Sequence, residues 1–392
     1  MDFTLPPLVP GKAPEDTTVV VAMSGGVDSS VAAGLMHKLG YKTIGITLQL
    51  WDYTPASDGG TKKAGTCCAL DDVYDARRVC QTLGVPHYVM NYENEFKEKV
   101  LDDFVETYLA GATPIPCVRC NQRIKFDSLL DKAKMLGADV LVTGHYVRKG
   151  KGEDGKGWLL KGDDPQKDQS YFLFATTQEQ LDFIDFPLGE ITKAETRALA
   201  KEMGLHLSEK KESQDICFVP EGDYRKVVRK FAPEGSIRPG NFVDKTGKVL
   251  GQHEGILGFT VGQRKGLGIA LGSPVHVTEI RPATAEVVLG PKEDLAETVF
   301  TVSDINWIGD EADYDGKEVG LKVRYAHKGI EGTLKNLGSN RAEVTLFAPE
   351  EQISPGQAAV FYDDNRMLGG GWIDIPEKAK LPLGEKVKVA IA

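Results

Sequence analysis

Nowhere does the chain run apolar for the roughly 20 residues that a membrane-spanning helix needs, so no membrane is expected among its partners. The stretch Met1–Asp16 is proline-rich and lacks the basic, apolar and small-residue order of a secretory signal. It reads as a disordered leader. Cysteine is scarce, six in 392 residues. That is too few for a disulfide scaffold, and the clustering points to a reducing compartment with thiol or metal chemistry. A zinc site is disfavoured, because no second CxxC and no spaced histidine pair accompany Cys117 and Cys120. Positive charge is in deficit, with 47 Lys/Arg against 57 Asp/Glu giving −10. Such a chain does not coat nucleic acid nonspecifically. The pattern G-x-x-x-x-G-K-[ST] is missing, which excludes the P-loop of kinases and GTPases. Internal repeats and low-complexity tracts are missing too.

What is present centres on Thr18–Ser30, TVVVAMSGGVDSS. Val19–Met23 has the β-branched composition of a buried strand. A helical pattern runs from Val31 to Leu39 and stops at Gly40. Strand, Gly/Ser turn and helix together aim backbone N–H groups at a phosphate. The hydroxyls of Ser24, Ser29 and Ser30 are further donors. Asp28 repels a bare phosphate, so it is expected to meet a bound Mg2+ or to set the turn. SGGVDSS resembles the PP-loop motif of ATP pyrophosphatases, which cleave ATP between the α- and β-phosphates and pass AMP to a substrate oxygen.

Strands and helices then alternate. Strands are expected at Lys42–Trp51, Pro86–Asn91 and Ala138–Val147. Helices are expected at Asp71–Leu83, Glu93–Leu109 and Phe126–Leu136. Asp52–Thr66 reads as a long loop ending in Cys67 and Cys68, and Thr113–Asn121 as another loop. The alternation implies a parallel sheet whose ligands bind beyond the strands' C-terminal ends. SGGVDSS, Leu48–Trp51 and Thr143–His145 all lie at such ends. Gly150–Gly157 marks a hairpin, and Thr192 with Glu195 makes a capping box before a helix to Met203. After a short helix over Tyr224–Phe231 the pattern turns to short, Gly-punctuated strands. From about Phe300 these read as a small antiparallel barrel. Residues 222–270 hold nine Lys/Arg against four acids, a local basic face in an acidic chain.

Cys80 lies inside a helical pattern and reads as a core residue; Cys67 and Cys68 read as loop residues. Cys117 and Cys120 form a CxxC beside Arg119, Arg123 and Lys125, cations that favour a reactive thiolate. Cys217 stands far away in SQDICF.

SGGVDSS, CNQRIKF from Cys120, TGHY from Thr143, KDQSYF from Lys167, SQDICF from Ser213, VGQRKGLG from Val261 and PGQAAVFY from Pro355 occur in one order. Together they resemble the bacterial tRNA-specific 2-thiouridylases over about residues 17–375. The resemblance implies ATP-dependent thiolation of the wobble uridine of tRNA. ATP adenylates the uracil 2-carbonyl oxygen, sulfur attacks that carbon, and AMP departs. It implies Cys120 as the catalytic cysteine and Cys217 as the persulfide carrier, loaded by a sulfur-relay protein. Cys120 would attack the adenylated base, or release sulfide from Cys217 through a transient disulfide. Ala22, Met23, Ser24, Gly25, Gly26, Val27, Asp28, Ser29, Leu48 and Gly144 would contact Mg-ATP. His145, Lys167, Asp168, Gln169, Arg324, Tyr325 and Gln357 would contact tRNA. Many family members carry Asp where this chain has Cys117. Cys117, Cys120 and Cys217 could therefore hold a [4Fe–4S] cluster with one open iron, an alternative to the preferred persulfide route.

The expected architecture is α/β. A PP-loop, Rossmann-like parallel-sheet domain (residues 1–221) precedes a central, mostly-β, tRNA-contacting domain (222–297) and a C-terminal β-barrel (298–392). The expected setting is cytoplasmic and the expected state a monomer. Two other classes fit the loop alone. A PP-loop amidating ligase would need an ammonia-supplying domain, for which no chain remains. A non-catalytic RNA-binding protein would not need an intact SGGVDSS.

Overall fold

Val19, Val20 and Val21 are wholly buried, as a β-branched run is between two layers of helices. They lie in β1 (Thr18–Ala22), the central strand of a five-stranded sheet. The computed structural model describes residues 5–51, 70–152, 155–211, 216–219 and 222–375. The expected Asp52–Thr66 loop, Cys67, Cys68 and Ser213–Asp215 lie outside the described residues. The chain divides into two units, residues 1–100, 117–222 and 365–367, and residues 101–116, 223–364 and 368–392.

In the first unit, β2 (Lys42–Gln49), β3 (His87–Asn91) and β4 (Val140–Val142) join β1. The expected hairpin follows as β5 (Val147–Lys151) and β6 (Gly157–Lys161). β7 (Ile184–Asp185) completes the sheet in the order β3-β2-β1-β4-β7, every neighbour parallel. The chain steps outward from β1 to β3, then returns to β4 on β1's other side. That reversal puts the switch point between the C-terminal ends of β1 and β4, where such sheets take their ligands.

The unit's helices include α1 (Val27–Lys38), α2 (Leu70–Leu83) and α3 (Glu93–Phe96), the last running into a π-helical turn at Lys97–Leu101. α1 starts at Val27 rather than at the expected Val31, so Asp28, Ser29 and Ser30 occupy its first turn. Val31, Ala32, Ala33, Leu35 and Met36 are buried in the same core as β1. Leu5, Leu8 and Val9 pack on that core, and Lys12 lies 2.6 Å from Asp139. Residues 5–16 are therefore not the disordered leader expected, because apolar side chains between the prolines find a hydrophobic surface.

In the second unit α4 (Asp102–Leu109) carries buried Phe104, Val105 and Tyr108. Two further sheets belong to this unit. β8 (Gly240–Val243), β9 (Val249–His253), β10 (His276–Arg281) and β11 (Glu286–Gly290) form one, in the order β10-β11-β8-β9. β12 (Glu297–Trp307), β13 (Glu318–Lys322), β14 (Ile330–Gly338), β15 (Arg341–Glu350), β16 (Ala358–Asp363) and β17 (Arg366–Ile373) form the other. β17 pairs back onto β12, with Val302 opposite Ile373, and closes the barrel. Closure leaves no strand edge open for aggregation. Val302, Val344, Phe361 and Leu368 fill its interior.

Candidate nucleotide site and the thiols

The turn after β1 is shaped by two glycines with different tasks. Gly25 has φ of +71°, and a Cβ there would stand 2.2 Å from the backbone oxygen of Asp72. Only glycine fits both the left-handed backbone and the close approach of α2. Gly26 is the N-cap of α1 and supplies no side-chain cap. First-turn N–H groups without a capping side chain, at the positive end of a helix, make a seat for an anion. Ser24 N donates to Ser29 Oγ (3.1 Å), and the two hydroxyls are 3.1 Å apart. Ser30 Oγ instead donates to Gly26 O (2.8 Å) and is wholly buried, so it is not the phosphate donor expected. A Cβ on Gly144 would lie 2.7 Å from Ser29 N, so the turn after β4 packs directly on the start of α1.

These elements enclose a cavity of about 300 Å3. All the expected nucleotide contacts line it except Gly25, together with His145 and Gln169 from the expected tRNA group. Lys125, Lys193, Lys210, Lys211, Thr143 and Asp72 also line it. A cluster of ammonium groups around uncapped helical N–H groups gives the cavity the character of a polyphosphate site.

Asp28 does not stand open to a cation. Lys193 Nζ donates to both its oxygens, at 2.6 and 2.8 Å, and the Tyr146 hydroxyl donates to Oδ1 at 2.8 Å. This arrangement offers no open carboxylate to the expected Mg2+. Lys210 Nζ is fixed more heavily, by Gly25 O (2.9 Å), Asp72 Oδ1 (2.6 Å) and Asp75 Oδ2 (2.6 Å). It ties the loop's carbonyl to the acidic start of α2. Lys125 donates to Asn121 Oδ1 (2.9 Å), and Asn121 in turn donates to Phe172 O (3.2 Å).

His145 keeps some surface at the cavity yet is enclosed by protein, with Nδ1 at 2.8 Å from Thr143 Oγ1. Burial, and secondarily the Lys125 ammonium, push its imidazole down to about 3. It is a neutral hydrogen-bonding group at pH 7. Gln169 Oε1 accepts from Tyr146 N (2.9 Å). Asp168 is buried and accepts from Gly162 N, Ser170 N and Ser170 Oγ, so its carboxylate shapes the chain's own turn. Lys167 beside it is half-buried. In the second unit, Arg324 donates to Ser354 Oγ, and Gln357 Nε2 donates to Thr113 O (3.0 Å). Tyr325 is exposed.

The CxxC is helical, not a loop. Cys117 and Cys120 lie on α5 (Pro116–Cys120), which winds into a π-helical stretch, Asn121–Ser128, and then α6 (Leu129–Met135); α7 (Gln178–Phe183) is the next helix along the chain. Cys120 is buried and Cys117 exposed. Cys217 is half-buried, and its neighbour Phe218 packs on Trp51 and Phe96, with ring centroids 6.2 and 5.6 Å away. The cavity is lined by Lys125 and Leu129, downstream of Cys120, but by neither Cys120 nor Cys217. Cys80, Cys117, Cys120 and Cys217 stand as thiols. Burial pushes the Cys80 thiol up to about 11, which makes it inert core. Among the described residues no three His, Cys, Asp or Glu side chains are grouped to hold a metal. Cys117, Cys120 and Cys217 thus do not fit a [4Fe–4S] cluster in this arrangement. Among the described residues no helix is long and apolar enough to cross a membrane.

Residues 17–221 match the family model described as the tRNA methyl transferase HUP domain, residues 227–291 its PRC-barrel domain, and residues 297–373 the aminomethyltransferase beta-barrel domain. The tRNA-specific 2-thiouridylase MnmA of Methylobacterium sp. (strain 4-46) is 52% identical over 376 residues, which cover 94% of this chain and 97% of that protein. The chain belongs to the tRNA-specific 2-thiouridylase family. Another member, from Wolbachia pipientis wMel, is 51% identical over 374 residues, covering 95% of this chain and 99% of its own. A structure of NMN synthetase from Francisella tularensis covers 54% of this chain and 76% of its own at 18% identity and a TM-score of 0.32, too low to carry an argument.

For this thiouridylase chain the loop was legible in the sequence, but its cations were not. Lys193 and Tyr146 meet Asp28 across 165 and 118 positions of chain. The one available signal for Lys193 was its place directly after the Thr192 cap of α8 (Lys193–Glu202), a helix whose capping box is fully formed.

Proposed function

We propose that this chain is a tRNA-uridine 2-sulfurtransferase, using ATP held in the cavity at the end of β1. The observation that carries the reading is the coincidence, in one cavity, of the SGGVDSS turn, the uncapped start of α1, Leu48 and Gly144, in a chain of the thiouridylase family. The triphosphate lies against the first-turn N–H groups of α1. The uracil O2 of the wobble nucleotide attacks the α-phosphorus, the α–β bond breaks, and pyrophosphate leaves. The electron-poor C2 then accepts sulfur as its bond to the AMP oxygen breaks.

Sulfur arrives as a persulfide on Cys217, transferred from a relay protein. The Cys120 thiolate either attacks C2 itself, expelling AMP and being displaced in turn by the terminal sulfur of the Cys217 persulfide, whose S–S bond an external thiol cleaves, or attacks the inner Cys217 sulfur. The second route releases sulfide and leaves a Cys120–Cys217 disulfide, which an external thiol must reduce before the next turnover. His145, neutral at the cavity, serves as a hydrogen-bonding group toward the base. Lys167, Gln169, Arg324, Tyr325 and Gln357 are read as flanking the tRNA, in a cytoplasmic, monomeric enzyme divided near residues 221 and 298. Because neither thiol lines the nucleotide cavity, Cys120 and Cys217 must approach it when tRNA binds.

The test is to incubate the protein with tRNA, ATP and either free sulfide or a persulfide-loaded relay, and to assay thiouridine. Product is expected with both donors. Cys120→Ser should abolish the relay-driven reaction, and the sulfide-driven one as well where Cys120 attacks C2 itself; Cys217→Ser should abolish only the relay-driven reaction. Well-folded protein that forms no thiouridine would remove the activity. Relay-driven product from Cys217→Ser would remove the persulfide step.

A further inference from the structure

In the second unit the antiparallel strands β13 and β14 are joined by residues 323–329, a connection longer than a tight hairpin turn. A surface connection of that length moves unless side chains tie it down. This one is tied at two points. Arg324 donates to Ser354 Oγ, and the buried Ser354 hydroxyl donates in turn to Val261 O (3.4 Å), at the start of VGQRKGLG. A Cβ on Gly262 would stand 3.6 Å from Arg324 Nη2, so the turn of that motif lies against the guanidinium. His327 N donates to Arg324 O (3.1 Å) and closes a four-residue turn. The His327 side chain is only 6% exposed. Gly329 N donates to its Nδ1 (3.1 Å), which places the ring proton on Nε2, facing Glu350 Oε2 at 3.1 Å. Glu350 ends β15, and Gln352 N donates to its other oxygen (2.8 Å). Tyr325 lies between the two ties and is exposed. A ring held out on an anchored turn has already lost the freedom that binding would otherwise remove.

We propose that His327 is a positioning residue for tRNA: bonded to Glu350, it holds the turn that carries Arg324 and Tyr325 in its RNA-binding form. Its own side chain is too enclosed to touch RNA, so it acts through the turn. The proposal deepens the reading of Arg324 and Tyr325 as tRNA contacts and rests on it. Equilibrium tRNA binding and steady-state thiolation by the full chain test it. The variants are His327→Ala, His327→Gln, the Arg324→Ala/Tyr325→Ala pair, and that pair with His327→Ala added. His327→Ala should raise both Kd and KM for tRNA by about fivefold or more, because the turn loses a hydrogen bond to a charged group. Its kcat at saturating tRNA should change by less than about twofold. ATP affinity should not change, because no residue of the second unit lines the nucleotide cavity. His327→Gln keeps an N–H donor for Glu350 and should recover most of the loss. In the Arg324→Ala/Tyr325→Ala background, His327→Ala should cost less than about twofold more, because what it positions is gone.

Unchanged tRNA affinity in folded His327→Ala would overturn the proposal, and so would a His327→Gln chain as weak as His327→Ala. An equal loss with and without Arg324 and Tyr325 would also overturn it, leaving His327 as a support of the barrel alone. If His327→Ala does not fold, His327→Phe, which keeps a buried ring and lacks both hydrogen bonds, carries the same expectations. Equal tRNA affinity in wild type and in the Arg324→Ala/Tyr325→Ala chain would instead overturn the tRNA-contact reading, and the positioning role with it.

Discussion

A histidine enclosed by protein and set near an ammonium stays neutral over the whole physiological range. Burial comes first in holding the His145 imidazole down to about 3, from an ordinary 6.5, and Lys125 adds to it. The sign of the linkage follows. Between pH 6.5 and about 3 the unfolded chain takes up a proton at this position and the folded chain does not. His145 therefore costs no stability above 6.5 and progressively destabilises the fold as pH falls through that window. Denaturant unfolding of wild type and His145→Asn at pH 7.5 and pH 5 measures the difference. The wild type should lose more stability between those pH values than the variant. His87 and His253, also lowered chiefly by burial, contribute equally to both proteins. Equal losses would mean that the His145 imidazole is not enclosed. The same neutrality means that His145 brings hydrogen-bonding atoms, and no positive charge, to the cavity it lines.

At the scale of elements, the turn between β1 and α1 depends on a backbone contact that no side chain could make. Gly25→Ala places a methyl 2.2 Å from the Asp72 oxygen at φ of +71°. Gly84 has nearly the same φ, +72°, but nothing within 4 Å of the added methyl. Gly84→Ala should cost only the backbone strain, about 1 kcal/mol, and Gly25→Ala at least about 3 kcal/mol with loss of nucleotide binding. Equal ΔΔG values from denaturant unfolding would refute the close approach of α2.

The elements also show what the sequence could and could not reveal. The capping box of α8, the α9 helix (Tyr224–Phe231) and the valines of β1 were legible because each is set by local chemistry. Helix α1 begins earlier than the pattern indicated because Val27-Asp28-Ser29-Ser30 looks polar until its hydroxyls are seen to bond backward. The π-helical stretch after Cys120 leaves no periodic mark, since widened turns are set by tertiary packing. The Asp28–Lys193 pair was invisible for a different reason: topology alone brings together residues so far apart in sequence.

At the scale of the molecule the question is how a chain of net charge −10 binds a polyanion. Its basic residues must be segregated, and α9 shows how. Val228 is wholly buried, while Arg225, Lys226, Arg229 and Lys230 are exposed. Arg225 lies 2.7 Å from Asp223 and Arg229 3.6 Å from Glu254. Lys230 lies beside the Phe231 ring at 5.3 Å, an attraction to a neutral ring. If this face seats tRNA through phosphates, its contribution carries no sequence preference and depends steeply on salt. Changing Lys226 and Lys230 together to Ala should weaken tRNA binding alike for cognate and non-cognate tRNA. It should flatten the plot of log K against log salt by roughly 1.4–1.8, the release expected for two phosphate contacts. Turnover at saturating tRNA should not change, because these lysines lie outside the nucleotide cavity. An unaltered salt slope would show that α9 faces solvent in the complex. The excess of acid elsewhere on the chain would then have to be reconciled with tRNA by another basic surface, for which Arg238, Lys245, Lys248, Arg264 and Lys265 are the remaining cations of the same basic stretch.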